Sequence, residues 1–389
     1  MIYLDHAATT AVDPGVFAAM TPWLTSSCGN PSSAYDYGYD ARAAITRARE
    51  QTAALISASP DRIFFTSGGT EADNWVLCST ARMSASKGRH IISTNMEHHA
   101  ILHTLDYLEE NGFEVTRLPV SEDGFVTPKQ LEEAIRPDTI LVSVMFANNE
   151  IGTIQPIRAL SAVAHRHGIL FHTDAVQAFG QIPIDVAELG IDMLSASSHK
   201  LYGPKGCGCL YVREGIDLPP RLFGGAQENG MRAGTENVPG IVGFGAAAAI
   251  AMEQMTETME KETKLRDFLI TQVLRRIPYA RLNGSHKNRL PGNANFSFQF
   301  VEGSTLLIML DMKGICASTG SACTASSSSP SHVLRAIGLP DDLARGSLRL
   351  TLGRNTTEEE IHIVVDALEE ILENLRSVSE DYNRIILRR

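Results

Sequence analysis

Lys200 and Asp174 are the two residues whose types and spacing most directly suggest catalysis. Each follows a short apolar run with the pattern of a buried strand, and twenty-six positions separate them. One strand–helix–strand step of that length can bring the ends of two neighbouring strands side by side. A lysine there with a lowered pKa can form a Schiff base, and a carboxylate beside it can keep a pyridine nitrogen protonated. Taken singly, a surface lysine and a helix-capping aspartate are the plainer interpretations.

A glycine-containing loop could bind a phosphate group. The loop at 66–71, Thr-Ser-Gly-Gly-Thr-Glu, follows an apolar run and precedes a predicted helix from Ala72 to about Met83. Backbone N–H groups next to glycine can approach an anion closely, and the positive end of the helix dipole favours phosphate there. No Gly-Lys-Ser/Thr follows the loop, which argues against a nucleoside triphosphate site.

A pair of histidines, His98 and His99, follows another apolar run. We expect the strand before them to neighbour the strand that leads into the phosphate loop. A flat imidazole at that place could stack on a planar cofactor and move protons, although a purely structural histidine is an equally good interpretation. Adjacent side chains point apart and no other ligand types cluster nearby, so we predict no metal site.

Two further reactive residues lie in the C-terminal part of the chain. Cys323 stands in a stretch of small residues between Ser318 and Ser331, which predicts an exposed and mobile thiol rather than a buried, inert one. Arg349 lies in the short apolar run at 348–352. Its guanidinium could bind a carboxylate through two hydrogen bonds, or it could lie on the surface of an edge strand.

The elements that must position these residues alternate between apolar runs and helical periodicity. This alternation predicts an α/β fold with a mostly parallel central sheet flanked by helices, whose ligands bind at the carboxyl ends of the strands. From about Glu253 the pattern changes to a long charged helix, an alternating strand at 293–300 and a last helix that begins at Thr357 with a capping box. We predict a large domain at 14–256 and a smaller α+β domain made of 1–13 and 257–389, which carries the Cys323 loop. The N-terminal strand could pack on either of these two domains.

Composition excludes several classes of protein. The 389 residues include 34 Lys and Arg against 45 Asp and Glu, and this net charge of −11 disfavours nucleic-acid or anionic-membrane surfaces. Six irregularly spaced cysteines are typical of free thiols in a reducing compartment. No secretory signal is visible, and the near-apolar run at 238–252 is too short to span a bilayer. We therefore predict a soluble cytoplasmic protein with no membrane contact and no direct nucleic-acid binding.

Taken together, these motifs resemble the NifS/IscS-type cysteine desulfurases, which are pyridoxal 5'-phosphate enzymes with the type I transferase fold. The resemblance covers most of the chain, and the stretch around Cys323 matches the subgroup with the longer active loop. The matching segments lie at 3–5, 8–10, 29–33, 148–152, 174–177, 198–200, 202–206, 231–235, 320–324, 330–334 and 352–354.

The resemblance implies how the cofactor ring would be held. Lys200 would bind it covalently, Asp174 would pair with the pyridine nitrogen, and His98 would stack on the ring and take part in catalysis. Gln177 would contact the ring hydroxyl, and Asn149 would contact that region and the substrate.

The resemblance also implies the residues that hold the cofactor's phosphate. Four of them, Gly69, Thr70, Ser197 and His199, would belong to the same subunit. The fifth, Thr235, would reach in from the other subunit of a homodimer.

In the reaction that the resemblance implies, Arg349 would bind the carboxylate of the substrate L-cysteine and Lys200 would remove its Cα proton. The Cys323 thiolate would attack the substrate sulfur, which leaves L-alanine and a Cys323 persulfide. The persulfide would pass to an acceptor protein, either an iron–sulfur scaffold or a tRNA- or cofactor-thiolation enzyme.

Two other classes of function stay open at this point. An enzyme of the same fold could carry out transamination, which needs no thiol and leaves Cys323 unexplained, or it could act on selenocysteine, which the residues do not separate from cysteine. A non-enzymatic carrier of sulfur or clusters would use Cys323 but would leave Lys200 and Asp174 idle.

Overall fold

The computed structural model describes residues 1–320 and 330–386. In these ranges the strands are β1 (Ile2–Tyr3), β2 (Ile63–Thr66), β3 (His90–Thr94), β4 (Glu114–Leu118), β5 (Thr139–Ser143), β6 (Leu170–Asp174), β7 (Met193–Ser197), β8 (Gly208–Val212), β9 (Ala280–Leu282), β10 (Asn293–Phe298), β11 (Ile315–Cys316) and β12 (Ser347–Thr351). The helices are α1 (Pro14–Thr25), α2 (Asp36–Ala54), α3 (Gly69–Ser84), α4 (His99–Glu110), α5 (Pro128–Ala134), α6 (Ile157–Arg166), α7 (Val238–Arg276), α8 (Gly303–Met312), α9 (His332–Ala336), α10 (Asp341–Arg345), α11 (Glu358–Ser377) and α12 (Glu380–Ile386).

Seven strands form the central sheet, in the order β2-β8-β7-β6-β5-β3-β4. β8 is antiparallel to both of its neighbours, and all other pairs between β7 and β4 are parallel. Because β2 and β7 both oppose β8, they run in the same direction and end at the same edge of the sheet. The predicted α/β fold with a mostly parallel sheet is confirmed.

Helices cover both faces of this sheet, because its strands are apolar on both sides. Trp75 of α3 and Leu105 of α4 pack on one face, while Ile45 of α2, Leu160 of α6 and Phe244 of α7 pack on the other. The resulting three layers are the arrangement expected for a buried parallel sheet.

The strand order confirms one sequence expectation and corrects another. β6 and β7 pair in parallel with Asp174 opposite Ser195, so the strand ends that lead to Asp174 and Lys200 are neighbours, as predicted. The strand before His98, β3, does not neighbour β2, because β8, β7, β6 and β5 lie between them. Strand order depends on long-range pairing, which the local pattern around each strand does not encode.

A second sheet, β12-β10-β9, is antiparallel and has its own core. Phe296 and Leu350 from this sheet pack with Leu368 of α11. β1 pairs in parallel with β11, and Leu4 joins the same core, so the N-terminal strand packs on the C-terminal part. The predicted capping box is present at the start of α11, where Thr357 and Glu360 exchange hydrogen bonds.

Helix α7 is continuous over 39 residues, whereas the sequence pattern indicated a buried segment followed by a separate charged helix. The predicted domain boundary at 256 therefore falls inside one helix. In length and composition α7 contains a stretch that could cross a membrane. One face of that stretch packs against α2: a Cβ on Gly245 would lie 2.5 Å from the Cα of Ala48, so glycine allows the two helices to approach closely.

The charged half of α7 contains one buried carboxyl group. Glu262 is 2% exposed and lines a small cavity of about 40 Å³. Burial raises its pKa from 4.5 to about 8. At neutral pH the folded protein therefore holds a proton on Glu262 that the unfolded chain releases.

Replacing Glu262 with Gln should remove a pH-dependent loss of stability. A raised pKa in the folded state makes stability fall as pH rises from about 4.5 to about 8, by up to about 1.4 kcal/mol per pH unit. We therefore compare the free energy of unfolding, measured with urea, at pH 5 and at pH 8. Between these two pH values we expect it to fall by about 2 to 4 kcal/mol less in Glu262→Gln than in the wild type. Glu260→Gln, an exposed change on the same helix, is the control. An identical pH slope in all three proteins would contradict the prediction.

Candidate active site

A cavity of about 260 Å³ opens at the carboxyl ends of the central strands. Most of the sequence-predicted site residues line it, although they come from distant parts of the chain. They are Gly69, Thr70, His98, Asn149, Asp174, Gln177, Ser197, His199, Lys200 and Arg349.

Thr235 is the one predicted residue in the described part of the chain that does not line the cavity. Thr235 is exposed and lies just before α7. Cys323 lies outside the described residues.

Lys200 follows β7 in a short 3₁₀ turn, Ser198–Lys200. Its Nζ donates hydrogen bonds to the backbone oxygens of Ala7 and Ala8, each at 2.6 Å. The amine is therefore held between the end of β7 and the N-terminal segment, by uncharged acceptors, on the wall of the cavity.

Asp174 ends β6 and is buried in the floor of the cavity. Its Oδ1 accepts a hydrogen bond from the N–H of Val176 at 2.9 Å. Burial raises the pKa of Asp174 to about 6, while that N–H and the charge of Lys200 act in the opposite direction. At neutral pH Asp174 is therefore mainly an anion that any cationic ring atom in the cavity would stabilise.

Beside Asp174 lies a second buried carboxyl group, that of Asp73. Burial, and then the charge of Asp174, raise the pKa of Asp73 well above its ordinary value, which favours the protonated form of this carboxyl. The buried His172, 3.8 Å from Asp73, has its pKa lowered to about 3 by burial and is neutral.

The loop between β2 and α3 forms a cup that fits a phosphate group. α3 begins at Gly69, so its first backbone N–H groups and Thr70 face the cavity. Two glycines let other segments come close: a Cβ on Gly69 would lie 2.5 Å from the Val176 side chain, and a Cβ on Gly208 would lie 2.6 Å from the backbone of Gly68.

His199 also lines this cavity, and its imidazole ring is neutral. Its Nδ1 lies 3.1 Å from Oγ1 of Thr9, and its pKa is lowered to about 4 by burial and then by the charges of Lys200 and Lys205. A neutral imidazole here can offer a hydrogen bond to an anion, but it adds no positive charge.

His98 is the N-cap of α4, which sequence reasoning did not foresee. Its Nδ1 accepts a hydrogen bond from the N–H of Ala100 at 3.1 Å, so the ring proton resides on Nε2. Burial, and then the charge of Lys200, lower the pKa of His98. The ring is therefore fixed, flat and neutral on the cavity wall.

Arg349 lies on β12, at the edge of the second sheet. Its side chain is nevertheless buried, with 1% of it accessible. Its Nη2 donates to Oδ1 of Asp5 at 2.7 Å, and its Nη1 donates to the backbone oxygen of Asn149 at 3.1 Å. The guanidinium lines the cavity, where it can meet a carboxylate.

Sequence reasoning missed several residues of the site. Asp73 carries a usable signal, because it lies three positions after Thr70 on α3 and so shares its face. Ala7 and Ala8 carry none, since they contribute backbone oxygens. Asp5 belongs to a matching segment but had no role assigned, because its partner Arg349 is 344 positions away.

The comparisons with known proteins agree with this geometry. The class-V aminotransferase family model matches residues 2–364. The cysteine desulfurase IscS of Dictyoglomus turgidum is 52% identical over 97% of this chain and 96% of that protein. The cysteine desulfurase IscS of Methanosarcina thermophila is 52% identical over 97% of this chain and 93% of that protein.

Two solved structures are similar along nearly the whole chain. A NifS-like protein has a TM-score of 0.90 at 39% identity and covers 96% of this chain and 99% of its own. A structure described as SspA in complex with cysteine has a TM-score of 0.82 at 39% identity and covers 92% of this chain and 100% of its own. This chain belongs to the class-V aminotransferase family. Within that family it belongs with the cysteine desulfurases, which confirms the resemblance seen in the sequence and the type I fold.

Replacing Gly208 with Ala should weaken the binding of phosphate-bearing ligands at the loop between β2 and α3. The added Cβ would meet the Gly68 backbone at 2.6 Å and push the loop away from the cavity. We expect the affinity for pyridoxal 5'-phosphate, measured by equilibrium dialysis, to fall about tenfold or more.

The control for this prediction is Gly215→Ala. Gly215 has a φ of 84°, and no heavy atom of the described residues lies within 4 Å of the place that its Cβ would take, so Ala there strains a turn away from the cup. Equal losses of affinity in the two variants would contradict the prediction, because both would then reflect general destabilisation.

Proposed function

We propose that this protein is a pyridoxal 5'-phosphate-dependent cysteine desulfurase, which takes sulfur from L-cysteine and releases L-alanine. The observation that carries the proposal is the gathering of Lys200, Asp174, His98 and Arg349 around one cavity. Full-length relatives at 52% identity that are cysteine desulfurases support the same activity.

The residues of the cavity fit the cofactor. A pyridine ring needs an anionic partner at its nitrogen, which Asp174 can provide, and a flat neighbour, which His98 can provide. A phosphate needs backbone N–H donors, and the start of α3 at Gly69 offers them next to Ser197. An aldehyde needs an amine, and Lys200 is the amine on this wall. When bound, the cofactor supplies an electron sink for the bond changes at the substrate Cα.

Each side chain then has a defined task. The carboxylate of Asp174 holds the proton on the ring nitrogen. The Nζ atom of Lys200 takes the proton from the substrate Cα and can return it, so it works as a general base and acid. Arg349 and Asn149 bind the substrate carboxylate and fix which bond at Cα faces Lys200. Gln177, whose Nε2 donates to the oxygen of Ala7 at 3.0 Å, lies beside the ring position.

Cys323 completes the reaction as the nucleophile. Its thiolate attacks the sulfur of the substrate, a new S–S bond forms, and the Cβ–S bond of the substrate breaks. The electron pair of that bond remains with the substrate carbon, which takes up a proton and leaves as L-alanine. The sulfur remains on Cys323 as a persulfide, from which an acceptor thiol can remove it.

We also propose that the active form is a homodimer in which Thr235 completes the phosphate site of the other subunit. Thr235 is exposed and does not line the cavity of its own chain, as this arrangement requires. Phe223, 73% exposed, adds apolar surface to the long connection between β8 and α7. The sulfur acceptor is an iron–sulfur scaffold or a thiolation enzyme, and the cytoplasm, which keeps thiols reduced, is the proposed compartment.

The proposed function predicts equal yields of L-alanine and sulfide from L-cysteine in the presence of a reductant. Cys323→Ser should lower both products at least about a hundredfold, because the nucleophile is lost. The variant should keep the visible absorbance of the bound cofactor, since Lys200 is intact. Both products and the spectrum are measured on the same samples.

The matched control is Cys28→Ser, which removes an exposed thiol elsewhere in the sequence and should leave both yields unchanged. A coloured wild-type protein that makes no alanine from cysteine would overturn the proposal and favour transamination or selenocysteine as substrate. Alanine and sulfide production that survives in Cys323→Ser would remove Cys323 from the mechanism.

A further inference from the structure

We infer that Asp5 is a positioning residue, which orients the Arg349 guanidinium for the carboxylate of the substrate. The inference rests on the proposed function, in which Arg349 binds that carboxylate. Asp5 itself is not among the residues that line the cavity, so it acts through Arg349 rather than on the substrate.

The two terminal nitrogens of Arg349 are held by different parts of the chain. Nη2 donates to Oδ1 of Asp5 at 2.7 Å, and Nη1 donates to the backbone oxygen of Asn149 at 3.1 Å. Acceptors on both terminal nitrogens fix the plane of a guanidinium, which is rigid in itself. In the described part of the chain, Nε of Arg349 has no hydrogen-bond partner. The guanidinium is thus fixed in place while part of its donor capacity stays unused.

Asp5 can fix Arg349 because Asp5 is fixed itself. The residue before it, Leu4, is buried in the small core and accepts a hydrogen bond from the N–H of Thr351 at 2.7 Å. The backbone oxygen of Asp5 accepts a hydrogen bond from Oη of Tyr3 at 3.1 Å. Asp5 therefore joins the N-terminal segment to β12, the strand that carries Arg349.

The charge of Asp5 also offsets the cost of burying the Arg349 guanidinium. The guanidinium is 1% exposed and the Asp5 carboxylate 17% exposed. A buried arginine with no anion beside it is costly, so without Asp5 the side chain would gain by turning towards water. With Asp5 in place, an arriving carboxylate meets a guanidinium that has already lost its rotational freedom, and binding costs less entropy.

Two substitutions separate positioning from charge. Asp5→Ala removes the acceptor, and we expect the KM for L-cysteine to rise about thirtyfold with kcat within about threefold, the size of effect that a lost charge-assisted hydrogen bond causes. Asp5→Asn loses the charge but keeps an Oδ1 acceptor, so we expect its KM to rise by about three- to tenfold, clearly less than that of Asp5→Ala. A KM in Asp5→Asn as high as in Asp5→Ala would overturn positioning in favour of charge alone.

A binding experiment on the cofactor-loaded protein supplies a second readout. L-Alanine, the carboxylate-bearing product, should bind about thirtyfold more weakly to Asp5→Ala, whereas ethylamine, which has no carboxylate, should bind equally to variant and wild type. Equal losses for the two ligands, or none for L-alanine, would overturn the inference.

The matched control is Asp13→Ala. Asp13 pairs with Arg354, and it also caps α1 through the N–H groups of Gly15 and Val16, so its loss destabilises the fold. We expect a lower melting temperature in Asp13→Ala with KM unchanged. If the wild type releases no alanine from L-cysteine, the proposed function fails, and L-alanine binding still decides the role of Asp5.

Discussion

The parallel pairing of β6 with β7 forces two ionisable groups, Asp174 and Lys200, into one buried cavity, and the surroundings have to tolerate them. Apart from Arg349, which is paired with Asp5, the neighbouring titratable groups described next do so by staying uncharged. Burial lowers the pKa values of His172 to about 3 and of His199 to about 4, so neither ring adds a positive charge. Burial also raises the pKa of Glu97 to about 8, which keeps that carboxyl protonated at neutral pH. The electrostatic field inside the cavity is therefore set by few groups, and each of them has a position that the fold determines.

The protonated carboxyl of Glu97 has a structural role, because its hydrogen bonds connect two segments of the chain. Its Oε1 accepts a hydrogen bond from Oγ1 of Thr94 at 2.7 Å, and its carboxyl accepts one from the N–H of Met145 at 3.1 Å. These bonds tie the turn after β3 to the chain beyond β5. The next residue is His98, so the ring that faces the cavity is positioned by a buried neighbour that never meets a ligand.

The N-terminal segment links the two cores at the site. Leu4 packs in the small core, Asp5 holds Arg349 on β12, and the backbone oxygens of Ala7 and Ala8 hold Lys200 at the end of β7. Four consecutive or nearly consecutive residues thus set the relation between the Arg349 guanidinium and the Lys200 amine. A shift of this segment would move both groups together, which preserves their spacing better than two separate supports would.

Beside the fold class and the family, several features that the sequence predicted correctly are local ones. The spacing of Asp174 and Lys200 and the capping box at Thr357 follow from a few neighbouring residues, and the structure contains both. The neighbours of β3 were predicted wrongly, because strand order is a property of pairing across the whole chain. The hydrogen bonds from Lys200 to Ala7 and Ala8 could not be predicted, because backbone oxygens leave no mark in the residue types.

Under the proposed function, the described side chains of the cavity suit an α-amino acid, and none of them is specific to sulfur. Arg349 suits the carboxylate and Lys200 suits the chemistry at Cα, and both tasks are the same for alanine and for cysteine. In residues 1–320 and 330–386, the side chains that line the cavity are suited to the carboxylate, the Cα proton and the cofactor. Under the proposed function, selection of cysteine over alanine then has to come from the reaction: the Cβ–S bond of cysteine offers Cys323 an atom that it can take, and alanine has no such bond. Substrate choice in such a site is a matter of which bond can break rather than of which ligand binds most tightly.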